Sequence, residues 1–340
     1  MIQFYLSIYS CDSPNFWAYP HPNSFLIIDD DKLQYLNRHM DDDEIKRTIC
    51  GMHPLKASGP DGLHVIFYQT QWDTVGSSLC CLVKDVFQHK HFSGDLNVTL
   101  PALIPKIENP SSLKLYRPIS LCNVTYKTIT KIIANRLQSI LPQLIGPHQI
   151  SFVPGRHVRK NIVIAQEVIY SMRKKTGAKG FMAIKVDLEK AYDRLSWEFI
   201  NDTLCEARIP PDLIQVIMAC ITSIKIGVLW NGEVTDEFLP SREIREGDPL
   251  SPYLFVLCIE RLSHAIYNVV TAGKWKPIRL ARNSIHLSHR FFTDDLLLLA
   301  EASIKQARIF SAVLDAYCCS SEAKVNVNKT LLYFSKNVGV

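Results

Sequence analysis

The chain has 340 residues, of which 47% are hydrophobic and 21% charged, and carries a formal net charge of +5. That length buries a large core in two domains or one elaborated domain, and the balance of apolar to charged residues excludes a chain dominated by disorder. The modest positive charge agrees with a polyanionic partner without establishing one, because the clusters GRHVRK (155–160) and MRKK (172–175) read equally well as solvated faces.

The 10 cysteines are scattered and form no C-x-x-C pattern. Cys80–Cys81 and Cys318–Cys319 sit in apolar text and read as reduced core thiols, which points to an intracellular, reducing compartment. No apolar run is expected to reach the roughly 18 residues that span a bilayer, and MIQFYLSIYSC lacks the basic start and cleavage site of a signal peptide. No membrane partner is therefore expected.

In chain order, residues 1–32 hold Pro14, Pro20 and Pro22 and read as an irregular, loosely attached lead-in. Residues 33–100 read as a helical extension, and 101–340 as the main domain. In DDDEIKRTICGM, Asp41 or Asp42 caps a helix whose Ile45, Ile49 and Met52 recur at helical spacing. The helix stops before Pro54, and KASGPDG (56–62) is an irregular loop. Residues 78–88 are again helical. VTLPALIPK (98–106) reads as an extended segment broken by prolines, which belong at sheet edges.

YKTITKIIANRLQSILPQL is the clearest helix, with Ile129, Ile132, Ile133, Leu137, Ile140 and Leu141 on one face and Lys127, Lys131 and Asn135 off it. FMAIKVD alternates with the period of a strand and ends on Asp187. Asn231–Gly232 marks a hairpin turn. REGDPLSPYLFVLCIERL reads as a loop leading into a buried helix, HLSHRFFTDDLLLLAEAS as strand, tight turn and strand with Asp294 and Asp295 at the turn, and 303–319 as a helix. This mixture predicts an α+β fold rather than a doubly wound parallel sheet.

The acids raise the chemical question. Two adjacent carboxylates repel one another, and desolvation favours their neutral forms, whereas a bound cation reverses both preferences. Aspartates alone suit Mg²⁺. A third carboxylate is needed for a two-metal site that activates a hydroxyl for in-line displacement at phosphorus, and Asp187, at the end of a buried strand, is the best candidate. Taken alone, an Asp–Asp pair is more often a polar turn, EGDPLSP a helix start, and Asp187 a cap.

In order and spacing, KASGPDG, LIPKIENP, YRPISLCNVTYKTITKIIANRL, FVPGR, KVDLEKAYDRLSW, REGDPLSPYLF, FFTDDLLLLAEA and KVNVNKT resemble the reverse transcriptase of LINE-type non-LTR retrotransposons, especially plant copies, over residues 33–336. The resemblance implies a right-hand polymerase with fingers and palm, the palm a mixed or antiparallel sheet backed by helices. It implies a partial chain with the thumb largely missing and no upstream endonuclease. The implied partners are an RNA template, a DNA primer and dNTPs; the cofactor is a pair of Mg²⁺ ions, with Mn²⁺ as a substitute.

By the same resemblance Asp187, Asp294 and Asp295 hold the metals, and Lys329 protonates the departing pyrophosphate. Lys106 and Arg117 grip the triphosphate, Tyr192 excludes a ribose 2′-hydroxyl, and Gly247 lets the backbone approach nucleotide and template. The chain departs from the family at Glu246, where glutamine is usual. It also has Ser58 within KASGPDG, QISFVPGR, Lys160 in place of aspartate, and Glu322 where glycine is common. A catalytically silent nucleic-acid-binding remnant is the alternative from another class.

Overall fold

The computed structural model describes residues 2–10, 19, 25–280 and 285–338. In chain order the elements begin with helices α1 (Ile2–Tyr9), α2 (Asp30–Asn37), α3 (Asp42–Cys50), α4 (Val65–Thr70) and α5 (Trp72–His89). Strands β1 (Val98–Pro105) and β2 (Tyr116–Cys122) follow, then α6 (Val124–Gln138), α7 (Leu141–Leu144), α8 (Val158–Lys174) and β3 (Phe181–Asp187). Helices α9 (Trp197–Glu206) and α10 (Pro211–Thr222) precede the short strands β4 (Lys225–Ile226), β5 (Leu229–Trp230) and β6 (Glu233–Val234). The chain continues through α11 (Ser251–Thr271), β7 (His289–Phe292), β8 (Asp295–Glu301), α12 (Ile304–Ser321) and β9 (Leu331–Phe334). The α+β class expected from the sequence is the one observed.

The chain divides into two compact units, and the expected division at residue 100 falls inside β1 instead of between them. Unit 1 comprises Met1–Pro14, Ile27–Ile140 and Tyr192–Leu254. Its sheet runs β2-β1-β5-β6, with β4 also on β1. β1 is antiparallel to β2 and parallel to β4 and β5, so it is interior, contrary to the edge position its prolines suggested. The reason lies in the direction of its backbone groups. Lys106 N–H faces β2, donating to Leu115 O at 2.8 Å, whereas Thr99 O faces the other side and accepts from Gly227 N at 3.1 Å. Pro101 and Pro105 share the parity of Thr99, so their missing N–H groups fall on the sparsely bonded parallel side.

The irregular lead-in is corrected over residues 2–9, which form α1; residues 11–18 and 20–24 lie outside the described residues. Tyr5, Ile8 and Tyr9 of α1 are buried with Ile224, Ile226, Val228 and Phe238 in one apolar cluster. In α3, Asp41 is the N-cap and accepts from Glu44 N at 2.6 Å. Helix α6 buries the expected isoleucine stripe, but Lys127 and Arg136 are buried too. Lys127 Nζ donates to Ala57 O at 2.6 Å, which fastens KASGPDG to α6. Arg136 makes a paired contact with Glu44, at 3.1 and 2.8 Å, and donates to Leu36 O. Asn231 and Gly232 take positive φ values of 51° and 85° between β5 and β6, as the hairpin turn requires.

Unit 2 comprises Asn15–Leu26, Leu141–Ala191 and Phe255–Val340. Its sheet, β7-β8-β3-β9, is antiparallel throughout. Val168 and Met172 of α8 pack with Phe181 and Ala183 of β3, Leu299 of β8, Ile278 and Leu287. Trp275 joins α12 to β8: its ring lies 4.1 Å from that of Phe310, and its Nε1–H donates to Leu299 O at 3.0 Å. Helix α12 ends on Glu322, a non-glycine residue at φ 59°.

Two composition readings are corrected. Helix α11 is long and apolar enough to cross a membrane by length and composition, although 67% of that stretch is buried in the protein. Of the paired thiols, Cys80 is buried, but Cys81 and Cys319 are exposed and Cys318 is half-buried. Neighbours on a helix point about 100° apart, so both cannot face one core.

Candidate active site

In unit 2 the acids are positioned by the sheet. Leu296, Leu298 and Leu299 of β8 are buried, each contributing about 1.5–3 kcal/mol by leaving water, and they hold the strand in register. Phe292 pairs with Asp295, so the β7–β8 turn consists of Thr293 and Asp294. Thr293 takes φ 57°, a strained value for a β-branched residue. Asp294 is exposed on this turn, and Asp295 is the first residue of β8 instead of part of the turn.

Asp187 is the cross-strand partner of Asp295, so the two side chains share a face of the sheet. Each meets a lysine. Lys185 Nζ lies 3.0 Å from Asp295 Oδ2, and Lys329 Nζ lies 3.8 Å from Asp187 Oδ2. Lys329 is brought there by the backbone of KVNVNKT. Glu189 N donates to Lys324 O, Asn326 N donates to Asp187 O, and Lys329 N turns back onto Asn326 O.

Among the described residues no three His, Cys, Asp or Glu side chains are gathered as a metal cage. The donor set at this sheet end nevertheless fits a hard divalent cation. It offers oxygen alone, from neighbouring carboxylates whose repulsion is offset here by ammonium groups. Asp187 is 22% exposed and Asp295 40%, which leaves both open to a ligand.

In unit 1 a second group assembles on the β1–β2 hairpin. Lys106 follows β1, its side chain exposed, and Arg117 lies across from Ile104 on β2. Ser120 N donates to Glu246 O at 2.8 Å, which docks the REGDPLSP loop on β2. Gly247 (φ 112°) is required there, since a Cβ would stand 3.2 Å from Ser120 O. The docking brings Glu246 Oε1 to 3.1 Å from Arg117 Nε. Tyr192 is half-buried, and its carbonyl accepts from Ile244 N at 2.9 Å.

A family model described as reverse transcriptase (RNA-dependent DNA polymerase) matches residues 104–338, more than half of the chain. The chain belongs to the reverse transcriptase family. It is 26% identical over 288 residues, 85% of its length, to an uncharacterized 149 kDa protein of transposon TX1 from Xenopus laevis. It is 25% identical over 270 residues, 79% of its length, to a retrovirus-related Pol polyprotein of a type-1 R2 retrotransposable element from Nasonia vitripennis. A corresponding polyprotein of the type-2 element R2DM from Drosophila melanogaster is 28% identical over 212 residues, 62% of the chain. The chain spans 21%, 25% and 19% of these relatives' own lengths. It is a reverse transcriptase domain of the kind found in non-LTR retrotransposon polyproteins.

Three features of this reverse transcriptase domain escaped the sequence reading. Lys185 carried a legible signal, since a residue two before Asp187 on a strand shares its face. Arg245 carried none: it is buried beside the docked loop, donating to Asn97 Oδ1 (2.7 Å), Thr99 Oγ1 (3.0 Å), Cys220 O (2.7 Å) and the Tyr126 hydroxyl. Tyr126 in turn donates to Asp248 at 3.0 Å, so a buried network fixes the loop that carries Glu246 and Gly247. Glu243 is also buried, and loss of water pushes its carboxyl up to about 8, with Asp193 adding to the rise and Arg245 opposing it.

Proposed function

We propose that this chain performs RNA-directed DNA synthesis, joining a dNTP to a DNA primer 3′-hydroxyl on an RNA template. The observation that carries this reading is the register of Asp187 against Asp295 beside the turn that bears Asp294. In this reading the unit 2 sheet is the palm, and the β1–β2 hairpin of unit 1 belongs to the fingers.

Asp187, Asp294 and Asp295 would hold two Mg²⁺ ions, or Mn²⁺. Bound ions supply activation of the attacking hydroxyl and neutralisation of charge on the phosphates. The chain's own groups bind and orient. Lys106 and Arg117 take the triphosphate oxygens, Arg117 through a planar donor fork. Tyr192 excludes a 2′-hydroxyl, and Gly247 gives the nucleotide access to the backbone. Lys329, already beside Asp187, donates a proton from Nζ to the departing pyrophosphate. The buried thiols Cys80, Cys122, Cys220 and Cys258 support a reducing, intracellular setting for this activity.

A second reading, a silent remnant that only binds nucleic acid, is favoured by the Arg117–Glu246 pair, which ties up a triphosphate-gripping cation. Primer extension on an RNA template with Mg²⁺ separates the two. Extension that is lost in Asp187→Ala and Asp294→Ala supports synthesis. Template binding without extension leaves the binding reading alone standing, and extension indifferent to Asp294→Ala refutes the site assignment.

A further inference from the structure

Lys185 stands closer to a carboxylate at the acid-bearing end of the unit 2 sheet than Lys329 does. Its Nζ lies 3.0 Å from Asp295 Oδ2, against 3.8 Å from Lys329 Nζ to Asp187 Oδ2. The strand pairing puts it there. β3 is bonded to β8 on one side and to β9 on the other, so the backbone that carries Lys185 is fixed from both flanks. Lys185 lies across from Leu297 and Asp187 across from Asp295, which makes Lys185 and Asp295 diagonal neighbours on one face, a separation that a long side chain bridges.

The pair does little for stability, because Lys185 is 49% exposed and Asp295 40%, and water screens such a contact. Its consequence is for cations. The ammonium engages Oδ2 of Asp295, an oxygen that a divalent ion held by this residue competes for, and an ion that displaces it still has a positive charge as its neighbour. Asp187 and Asp295 carry two negative charges, and Lys185 and Lys329 bring two positive ones to the same oxygens. Between neighbouring charges the interaction falls only inversely with distance, so removing one ammonium from this group changes the attraction for a divalent ion measurably even in a water-like dielectric.

We infer that Lys185 is a tethered counter-ion that competes with a divalent ion for the Asp295 carboxylate and so sets the ion concentration the site requires. It acts through Asp295 and not on the substrate, which makes it a positioning residue. The inference rests on the reading that Asp187, Asp294 and Asp295 hold divalent ions, and it deepens that reading by naming the side chain that controls their entry.

Titration of the whole chain with MnCl₂, without nucleotide or nucleic acid, tests it, with the electron paramagnetic resonance signal of free Mn²⁺ as the readout. Lys185→Gln, and independently Lys185→Ala, are expected to tighten Mn²⁺ binding by about tenfold. Lys185→Arg, which keeps the charge, does not tighten it. Lys179→Gln, which removes a lysine paired with Glu301 at the far end of β3, leaves the affinity at the wild-type value. Mn²⁺ binding that depends on Asp295, lost in Asp295→Asn, but is equal in wild type, Lys185→Gln and Lys185→Ala, overturns the role of Lys185 and leaves the metal reading standing. The same gain in Lys179→Gln also overturns it, by showing an effect of net charge alone. Mn²⁺ binding that is absent, or indifferent to Asp295→Asn, overturns both. Failure of primer extension alone bears on synthesis and not on this competition.

Discussion

The Arg117 guanidinium and the Glu246 carboxylate form an ion pair, Nε to Oε1, at 3.1 Å. Both partners are partly exposed, at 58% and 35%, so the pair itself is worth no more than about 1 kcal/mol. On the proposed polymerase reading its consequence is for nucleotide use: a carboxylate holds the cation and would repel a triphosphate bound there. Glu246→Gln is expected to lower KM for dNTP by roughly three- to tenfold with little change in kcat, consistent with about 1 kcal/mol. Steady-state kinetics on an RNA template give the answer, and an unchanged or higher KM removes Glu246 from the nucleotide's surroundings.

Glu243 makes stability pH-dependent. Its folded-state value of about 8 lies above its ordinary 4.5, so folding takes up a proton between those values and stability falls as pH rises through that window. Glu243→Gln cannot ionise and should flatten the decline. Urea melts at about pH 5 and about pH 8.5 should show the variant gaining on the order of 1–3 kcal/mol relative to wild type at the higher pH. An equal difference at both pH values would mean that Glu243 does not titrate in this window.

How much of this was legible varies with the reach of the interactions. The β7–β8 hairpin and β3 were readable because alternation and turn residues are local signals, and Asp187 followed as the end of β3, whereas Asp295 was assigned to the turn and is the first residue of β8. The burial of α1 was not, since Tyr5 and Tyr9 are amphipathic and their partners, Ile224 to Val228 and Phe238, lie far along the chain. β1 was misjudged as an edge because its parallel neighbours are likewise remote. Lys127 and Arg136 were hidden because periodicity marks apolar residues and is silent about a cation that finds a buried acceptor. The Arg117–Glu246 pair needed the docking of the REGDPLSP loop, which no local pattern encodes.

Glu44 shows what such a buried pairing does. It accepts from Arg136 at two oxygens and from Arg38 at 3.0 Å; although burial raises its carboxyl, these arginines outweigh the effect and hold it below its ordinary value. Glu44→Ala leaves the Arg136 charge buried and is expected to destabilise the fold by about 3–5 kcal/mol. Denaturant unfolding measures this, and a loss below about 1 kcal/mol would mean that Arg136 finds another partner.

Glu322 closes α12 in the left-handed region at φ 59°, where a side chain is disfavoured by roughly 1 kcal/mol relative to glycine. Glu322→Gly is therefore expected to stabilise the chain by about 1 kcal/mol, visible as a higher melting temperature. A lower one would show that contacts of the glutamate side chain outweigh its backbone strain.

The two units are interleaved along the chain, which passes from one to the other after residues 14, 26, 140, 191 and 254. During synthesis on the ribosome, β1 at residues 98–105 must therefore wait for β4 and β5, at 225–230, before both its flanks are covered. Until then it presents a bare strand edge of the kind that recruits other chains. A nascent or prematurely terminated product ending between residues 140 and 225 would carry that edge permanently, making it a substrate for chaperones and a seed for aggregation.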